Sequence, residues 1–238
     1  KMKISTIIAL FFIALISNAQ TSNTGPKFVC TGENFFCYSG WGGASQLCKV
    51  SVSLDNNAVF TNVGDQATIN YNAMGYCSKD NYIYAIDYNS NDIVRVHSDG
   101  SIYSFGKCGL QNGSFYAGDF NSKGYYFIGN ANSPHEIIKI DVNSGTPTIV
   151  SSVNLDVNMG FSEFAIHPKT GIAYAFGLDY SNNYACLIKF NPEDGIVTKY
   201  AINYYNVIEA IGALWFDSYG RLFGYGKHIT DGMQESLY

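Results

Sequence analysis

One phrase recurs along the chain at a nearly fixed period. It is a pair of apolar residues, often a basic residue, another apolar residue, and a turn that usually closes on Gly. It occurs as LCKVSVSLDN from Leu47, IVRVHSDG from Ile93, IIKIDVNSG from Ile137 and LIKFNPEDG from Leu187, and a fifth copy starts at Leu237-Tyr238. The starts lie 46, 44, 50 and 50 residues apart. A period of this size with strand-forming content specifies stacked or radial β-repeats, because one unit cannot bury its own apolar face and must pack on its neighbours.

A second phrase precedes the first in the same register: an apolar strand, a polar turn, then an aromatic strand. Its copies are MGYCSKDNYIYAI from Met74, GDFNSKGYYFIG from Gly118, FAIHPKTGIAYAFG from Phe164 and LWFDSYGRLFGYG from Leu214, with a degraded copy, FVCTGENFFCY, from Phe28. Aligning Tyr76, Phe120, Ile166 and Phe216 gives steps of 44, 46 and 50. Outer strands such as SIYSFG, PTIVSSV and IVTKYAI complete each unit. Short alternating runs bounded by Gly, Asn, Asp and Ser are strands and tight turns. Four antiparallel strands per unit of this length make the blade of an all-β propeller. A β-sandwich with accidental self-similarity is the alternative, and two phrases in one register argue against it.

The expected blades are 27–66, 67–110, 111–158, 159–206 and 207–238, the last lacking two strands. Inner strands carry small residues (Ala73, Gly75, Ala117, Gly118, Ala165, Gly212, Ala213), as crowding near an axis requires. The unfinished fifth copy, and a Lys that precedes Met2, lead us to expect a fragment of a longer reading frame.

Lys1 and Lys3, the apolar run Ile7 to Ile16, and Ser17-Asn18-Ala19 follow the order of a signal peptide. We therefore expect a signal at 1–19, a short linker at 20–26 and the propeller at 27–238. The apolar run is short for a membrane span, which needs about 20 residues. Loss of the signal takes the formal net charge from −5 to −7. An acidic chain without a basic cluster excludes nucleic acid as a partner, and no later stretch is long enough to span a membrane. Export makes disulfides expected among Cys30, Cys37, Cys48, Cys77, Cys108 and Cys186. The favoured pair is Cys37 with Cys48, on neighbouring strands across the loop SGWGGASQ.

The paired phrases NYIYAID with IVRVHSDG and GIAYAFG with LIKFNPEDG, together with His167-Pro168-Lys169-Thr170-Gly171 and Ile140-Asp141-Val142-Asn143-Ser144-Gly145, carry a resemblance. Over residues 65–238 the chain resembles secreted YVTN/NHL/lactonase-like propellers, nearest an uncharacterised propeller domain of surface and secreted proteins. The resemblance implies an extracellular binding or adhesion module more often than an enzyme. It also brings in the gluconolactonase type, in which carboxylates and amides hold a divalent metal such as Ca²⁺ that polarises a lactone.

Asn72, Asp119, Glu163 and Glu209 are the polar residues expected near the axial channel or its mouth. They are the candidates for such a site, and solvating a channel is their blander role. Asp141 to Gly145 starts like a calcium loop but lacks the downstream Glu, and Asp, Asn and Gly are what a hairpin turn requires. Asn191 to Gly195, Ser98 to Gly100 and His167 are turns by the same reasoning. No nucleophile elbow is present. Tyr180, Tyr184, Tyr204 and Tyr205 fall in or near connections, and exposed aromatics suit carbohydrate or protein contact. The expectation is thus a secreted or cell-surface binding module without a cofactor, set against a metal-dependent lactonase-type hydrolase.

Overall fold

The computed structural model describes residues 24–29, 34–38, 43–52, 58–130, 136–155, 158–202, 208–228 and 235–237. Over these residues the chain is an all-β propeller of consecutive antiparallel sheets. The first sheet holds β1 (Asn34–Tyr38), β2 (Gln46–Val52) and β3 (Ala58–Asn62). The second holds β4 (Tyr71–Cys77), β5 (Tyr82–Asp87), β6 (Ile93–Val96) and β7 (Ile102–Ser104). The third holds β8 (Phe115–Phe120), β9 (Tyr125–Asn130), β10 (Glu136–Asp141) and β11 (Thr148–Asn154). In the fourth, a broken inner strand, β12 (Met159–Phe161) and β13 (Ala165–Ile166), precedes β14 (Ala173–Asp179), β15 (Tyr184–Phe190) and β16 (Val197–Ala201). The fifth holds β17 (Ile208–Phe216), β18 (Leu222–His228) and β19 (Glu235–Leu237).

The recurring phrase is the third strand of its blade in β6, β10 and β15, as its register predicts. Two expectations are corrected. The fifth blade contains a third strand, because Tyr225 pairs with Leu237. Phe28 itself is not on a strand of the first sheet, whose first strand is the NFFCY part of that phrase. The Phe28 N–H donates to the Asn81 carbonyl at 2.9 Å and the Ser98 N–H to the Pro26 carbonyl at 3.0 Å, so residues 26–28 lie along the turns of the second sheet. The ring of Phe28 fills the space there, 4.8 Å from Phe35.

Every residue of β5 and β6 is buried. A strand covered on both faces loses its polar alternation, and here each face meets an adjacent sheet. One apolar cluster joins β2 to β4, β5 and β6 through Leu47, Tyr71, Ile83 and Val94. A second joins the second and third sheets through Tyr84, Ile93, Phe120, Tyr126 and Ile140. A third joins the third and fourth through Phe127, Phe164, Ile188 and Phe190. The outer strands β11 and β16 are mostly exposed, which is why their sequences vary.

Near the axis the inner strands touch. A Cβ on Gly75 would sit 2.9 Å from the Asp119 Cα, and one on Gly118 would overlap the Ala73 carbonyl. Bulges interrupt β4 between Asn72 and Gly75 and β8 between Phe115 and Ala117. At the first of these Ala73 takes a positive φ of 54°, and the Asn72 side chain accepts its N–H at 2.9 Å.

The basic residue of the phrase also has a structural role. Arg95 is 8% exposed; its guanidinium lies 4.6 Å from the Tyr82 ring centroid and 4.9 Å from that of Phe105. It donates to the Tyr84 hydroxyl at 2.7 Å. Lys139 sits 4.1 Å from the Tyr125 ring centroid and pairs with Glu193 of the next blade at 2.7 Å. Stems on apolar surface and charges over rings let cations occupy a strand packed between sheets.

Candidate functional site

The four polar candidates all belong to inner strands or their break. Asn72 is on β4, Asp119 on β8, Glu163 between β12 and β13, and Glu209 on β17; the Glu209 side chain lies outside the described residues. The structure brings Asp119 and Glu163 together and leaves Asn72 bonded to its own strand. Asp119 Oδ1 accepts the Phe120 N–H and Oδ2 accepts the Ile166 N–H, both at 2.7 Å. The second bond crosses from the third sheet to the fourth. Beside them the Tyr126 hydroxyl donates to the Ala73 carbonyl, tying the third sheet to the second, and its ring stacks on Phe120 at 4.8 Å.

Both acids sit deep among the inner strands, yet each keeps part of its surface open to solvent. Burial pushes the Asp119 carboxyl up to about 7, against the lowering effect of its two backbone donors. Burial, then the charge of Asp119, holds Glu163 well above the usual carboxylate range. Two such carboxyls favour a state with at least one proton. Calcium takes roughly six to eight oxygen ligands. Here the Ala73 carbonyl already accepts the Tyr126 proton, and among the described residues no three His, Cys, Asp or Glu side chains converge.

The expected bridge between Cys37 and Cys48 is not formed; both are free thiols. The ladder pairs Cys37 with Leu47 and Cys48 with Phe36, so the pleat sends the two thiols to opposite faces. Burial pushes the Cys37 thiol up to about 11. Cys77, Cys108 and Cys186 are free as well, and Cys30 lies outside the described residues.

The turn readings hold. The Asp141 carboxylate accepts the Asn143 N–H at 2.8 Å and Gly145 takes φ 85°. Asn191 accepts the Glu193 N–H, and Asp99 the Ser101 N–H. His167 Nδ1 accepts from the Lys169 N–H.

The kinship of two turns was not read from the sequence. Asp87-Tyr88-Asn89-Ser90-Asn91 links β5 to β6, and Asp179-Tyr180-Ser181-Asn182-Asn183 links β14 to β15. These are equivalent connections two blades apart with the same pattern of bonds to the leading Asp, and Asp179 in addition pairs with Lys199 at 3.3 Å. Asp87 Oδ1 accepts the Asn89 N–H at 3.0 Å and Oδ2 the Ser90 hydroxyl at 2.8 Å. Asp179 Oδ1 accepts the Ser181 N–H at 2.9 Å and Oδ2 the Asn182 amide at 3.2 Å. Asn91 and Asn183 take φ of 59° and 52°, the left-handed conformation that Asn tolerates. The Tyr88 N–H donates to Asn70 and the Tyr180 N–H to Asn158, each just before the inner strand of its own sheet. Each tyrosine is thereby fixed at the backbone and keeps about half of its surface open, with Tyr88 45% and Tyr180 60% exposed. The signal was present in the sequence as DYNSN and DYSNN, 92 residues apart. Tyr184 is half-buried at the start of β15, and Tyr204 and Tyr205 lie outside the described residues.

Residues 36–233 match the family model described as a repeat of unknown function, DUF6923. The chain belongs to this family. In this DUF6923 member the matched span runs from β1 through β18. No curated protein matches the chain in sequence. Among solved structures, it is similar to a chain of a nidogen–laminin complex, at 12% identity and a TM-score of 0.55, over 87% of this chain and 73% of that one. It is similar to a gluconolactonase from Xanthomonas campestris at 12% identity and a TM-score of 0.52, over 90% and 74%. It is also similar to the hydrazine synthase of Kuenenia stuttgartiensis at 11% identity and a TM-score of 0.51, over 83% and 53%. At these identities the likeness is one of fold alone. No helix among the described residues is long and apolar enough to cross a membrane.

Proposed function

We propose that this DUF6923 chain is a secreted or cell-surface binding or adhesion module, which meets protein or carbohydrate ligands through the loops of one propeller face. The observation that carries the reading is the pair of similarly built turns that hold Tyr88 and Tyr180 rigid and exposed. Rigid aromatics on a fixed platform bind with little loss of conformational freedom. One structural neighbour comes from a nidogen–laminin complex, a protein–protein assembly, and the leader-like N-terminus supports export. The paired carboxyls of Asp119 and Glu163 favour a second reading, a lactonase-type hydrolase dependent on a metal such as Ca²⁺.

One experiment separates the two. Labelled protein is tested for saturable adhesion to the surface of cells of its own source, and the same preparation is assayed on γ- and δ-lactones with and without added Ca²⁺. Adhesion that collapses in a Tyr88→Ala/Tyr180→Ala variant is expected. Lactone turnover lost in Glu163→Gln, with no adhesion, would replace the binding reading by the hydrolase.

A further inference from the structure

We infer that the face bearing Tyr88 and Tyr180 binds a neutral polysaccharide along a track across the second, third and fourth blades; this rests on the binding-module reading above. The track is continuous. Tyr88 lies against Tyr116 on β8, with ring centroids 6.1 Å apart, and their hydroxyls meet. Tyr116 then forms one wall of a shallow recess between the third and fourth blades, completed by Asn130, Glu136, Phe161 and Ser162. Beyond Phe161 the chain at Gly160 carries the phenol of Tyr180. A Cβ at Gly160 would overlap the Tyr180 hydroxyl and come within 2.8 Å of the ring carbon that bears it. Glycine there is what lets the ring lie down on the inner strand.

The chemistry along this track selects the ligand class. The tyrosines share their turns with the exposed polar residues Asn89, Ser181 and Asn182, the last with its amide donating to Asp179. A sugar ring offers a matching surface, apolar C–H faces with a rim of hydroxyls that donate and accept. A chain of sugars repeats that surface, as successive tyrosines require. A protein partner of ordinary size would instead want about 800 Å² of surface with a contiguous apolar centre, and these exposed rings are separated by polar turns. Charge then narrows the choice. Glu136 stands in the recess and Asp87 lies under one turn tip, Asp179 being paired with Lys199 at 3.3 Å, and the chain carries a formal −5. Uronate and sulfated glycans are repelled.

The test is affinity electrophoresis of the full chain in native gels containing xyloglucan, galactomannan or hydroxyethylcellulose, with alginate and polygalacturonate as acidic counterparts. Retardation in a neutral gel and none in the acidic gels is expected. Tyr88→Ala and Tyr180→Ala should each weaken it about tenfold, the worth of one lost aromatic contact. Tyr219→Ala, on the β17–β18 turn of the opposite face, should leave it unchanged. Melting temperatures should not move, because all three rings are exposed. Free mobility in every neutral gel, or retardation that survives the Tyr88/Tyr180 double variant, overturns the inference. Cell adhesion that is abolished by protease treatment of the cells and unaffected by competing neutral polysaccharide would also overturn it, and would leave the binding-module reading standing with a protein partner. Absence of adhesion would remove both.

Discussion

Replacing Gly118 by Ala adds a single methyl group where two inner strands touch. The new Cβ would overlap the Ala73 carbonyl oxygen, stand 2.8 Å from its carbon and 3.1 Å from Cε2 of Tyr126. The obstacle is backbone of the neighbouring inner strand, so no rotamer change relieves it, and overpacking of this kind costs about 1–3 kcal/mol. Moving the Ala73 carbonyl also disturbs the bond it accepts from Tyr126, worth about 1 kcal/mol. A stiffer unfolded chain returns roughly 0.5 kcal/mol. A net loss of about 1.5–3.5 kcal/mol should lower Tm by roughly 3–14 °C in a domain of this size, read by thermal unfolding monitored by circular dichroism. Gly212→Ala is the control. A Cβ there meets nothing within 4 Å, so Tm should hold or rise slightly. A Gly118→Ala protein that melts within about 1 °C of the parent, or a Gly212→Ala protein that falls as far, would refute the close approach of β4 and β8.

Tyr126→Phe keeps the stack on Phe120 and strips the Ala73 carbonyl of its donor; urea unfolding should show a loss of about 1–3 kcal/mol with an unchanged m-value. The raised pKa values of Asp119, at about 7, and of Glu163 mean that the folded state binds more protons than the unfolded one from about pH 4 upward. Their contribution is full below the unfolded pKa and fades as pH rises. Glu163→Gln should therefore gain in Tm over the parent as pH goes from 5 to 8, and a gap that stays constant or narrows refutes the buried pair. Arg95→Ala loses its ring contacts and its bond to Tyr84 and should cost about 2 kcal/mol. Lys139→Ala, whose ion pair with Glu193 is partly exposed, should cost about 1 kcal/mol or less; denaturant titration ranks the two. Peptide mapping without reductant should find no Cys37–Cys48 linkage, and native Cys37 should resist thiol reagents at pH 8, since burial keeps its thiolate scarce.

The repeat phrases made the fold legible because a blade is a local object. Its four strands are consecutive, their turns are short, and the residues that meet in a ladder lie close in sequence. The small inner residues were readable for the same reason, although only the packing of β4 on β8 distinguishes Gly75 and Gly118, which must be glycine, from Gly212, which need not. Phe28 was read as a strand of the first blade, but its backbone pairs with the turns of the second sheet, far along the chain. The Cys37–Cys48 pairing failed at a one-residue offset, which in a pleated ladder reverses the face. The likeness of the two tyrosine turns went unread because DYNSN and DYSNN lie two blades apart and the stronger strand periodicity masks it.

The sequence by itself determined the architecture. Strand-length apolar runs, turn residues and a period of 44 to 50 residues depend on local propensity and on burial shared between neighbouring repeats, and both are written into the order of residues. Only the tertiary structure decided which polar residues meet. Asp119 and Glu163 are 44 positions apart and on different blades, and Tyr88 reaches Tyr116 and the recess only after the blades are set side by side. Contacts between blades depend on the angle and offset of one sheet against the next. Those are set by the whole packed core, and no single repeat encodes them.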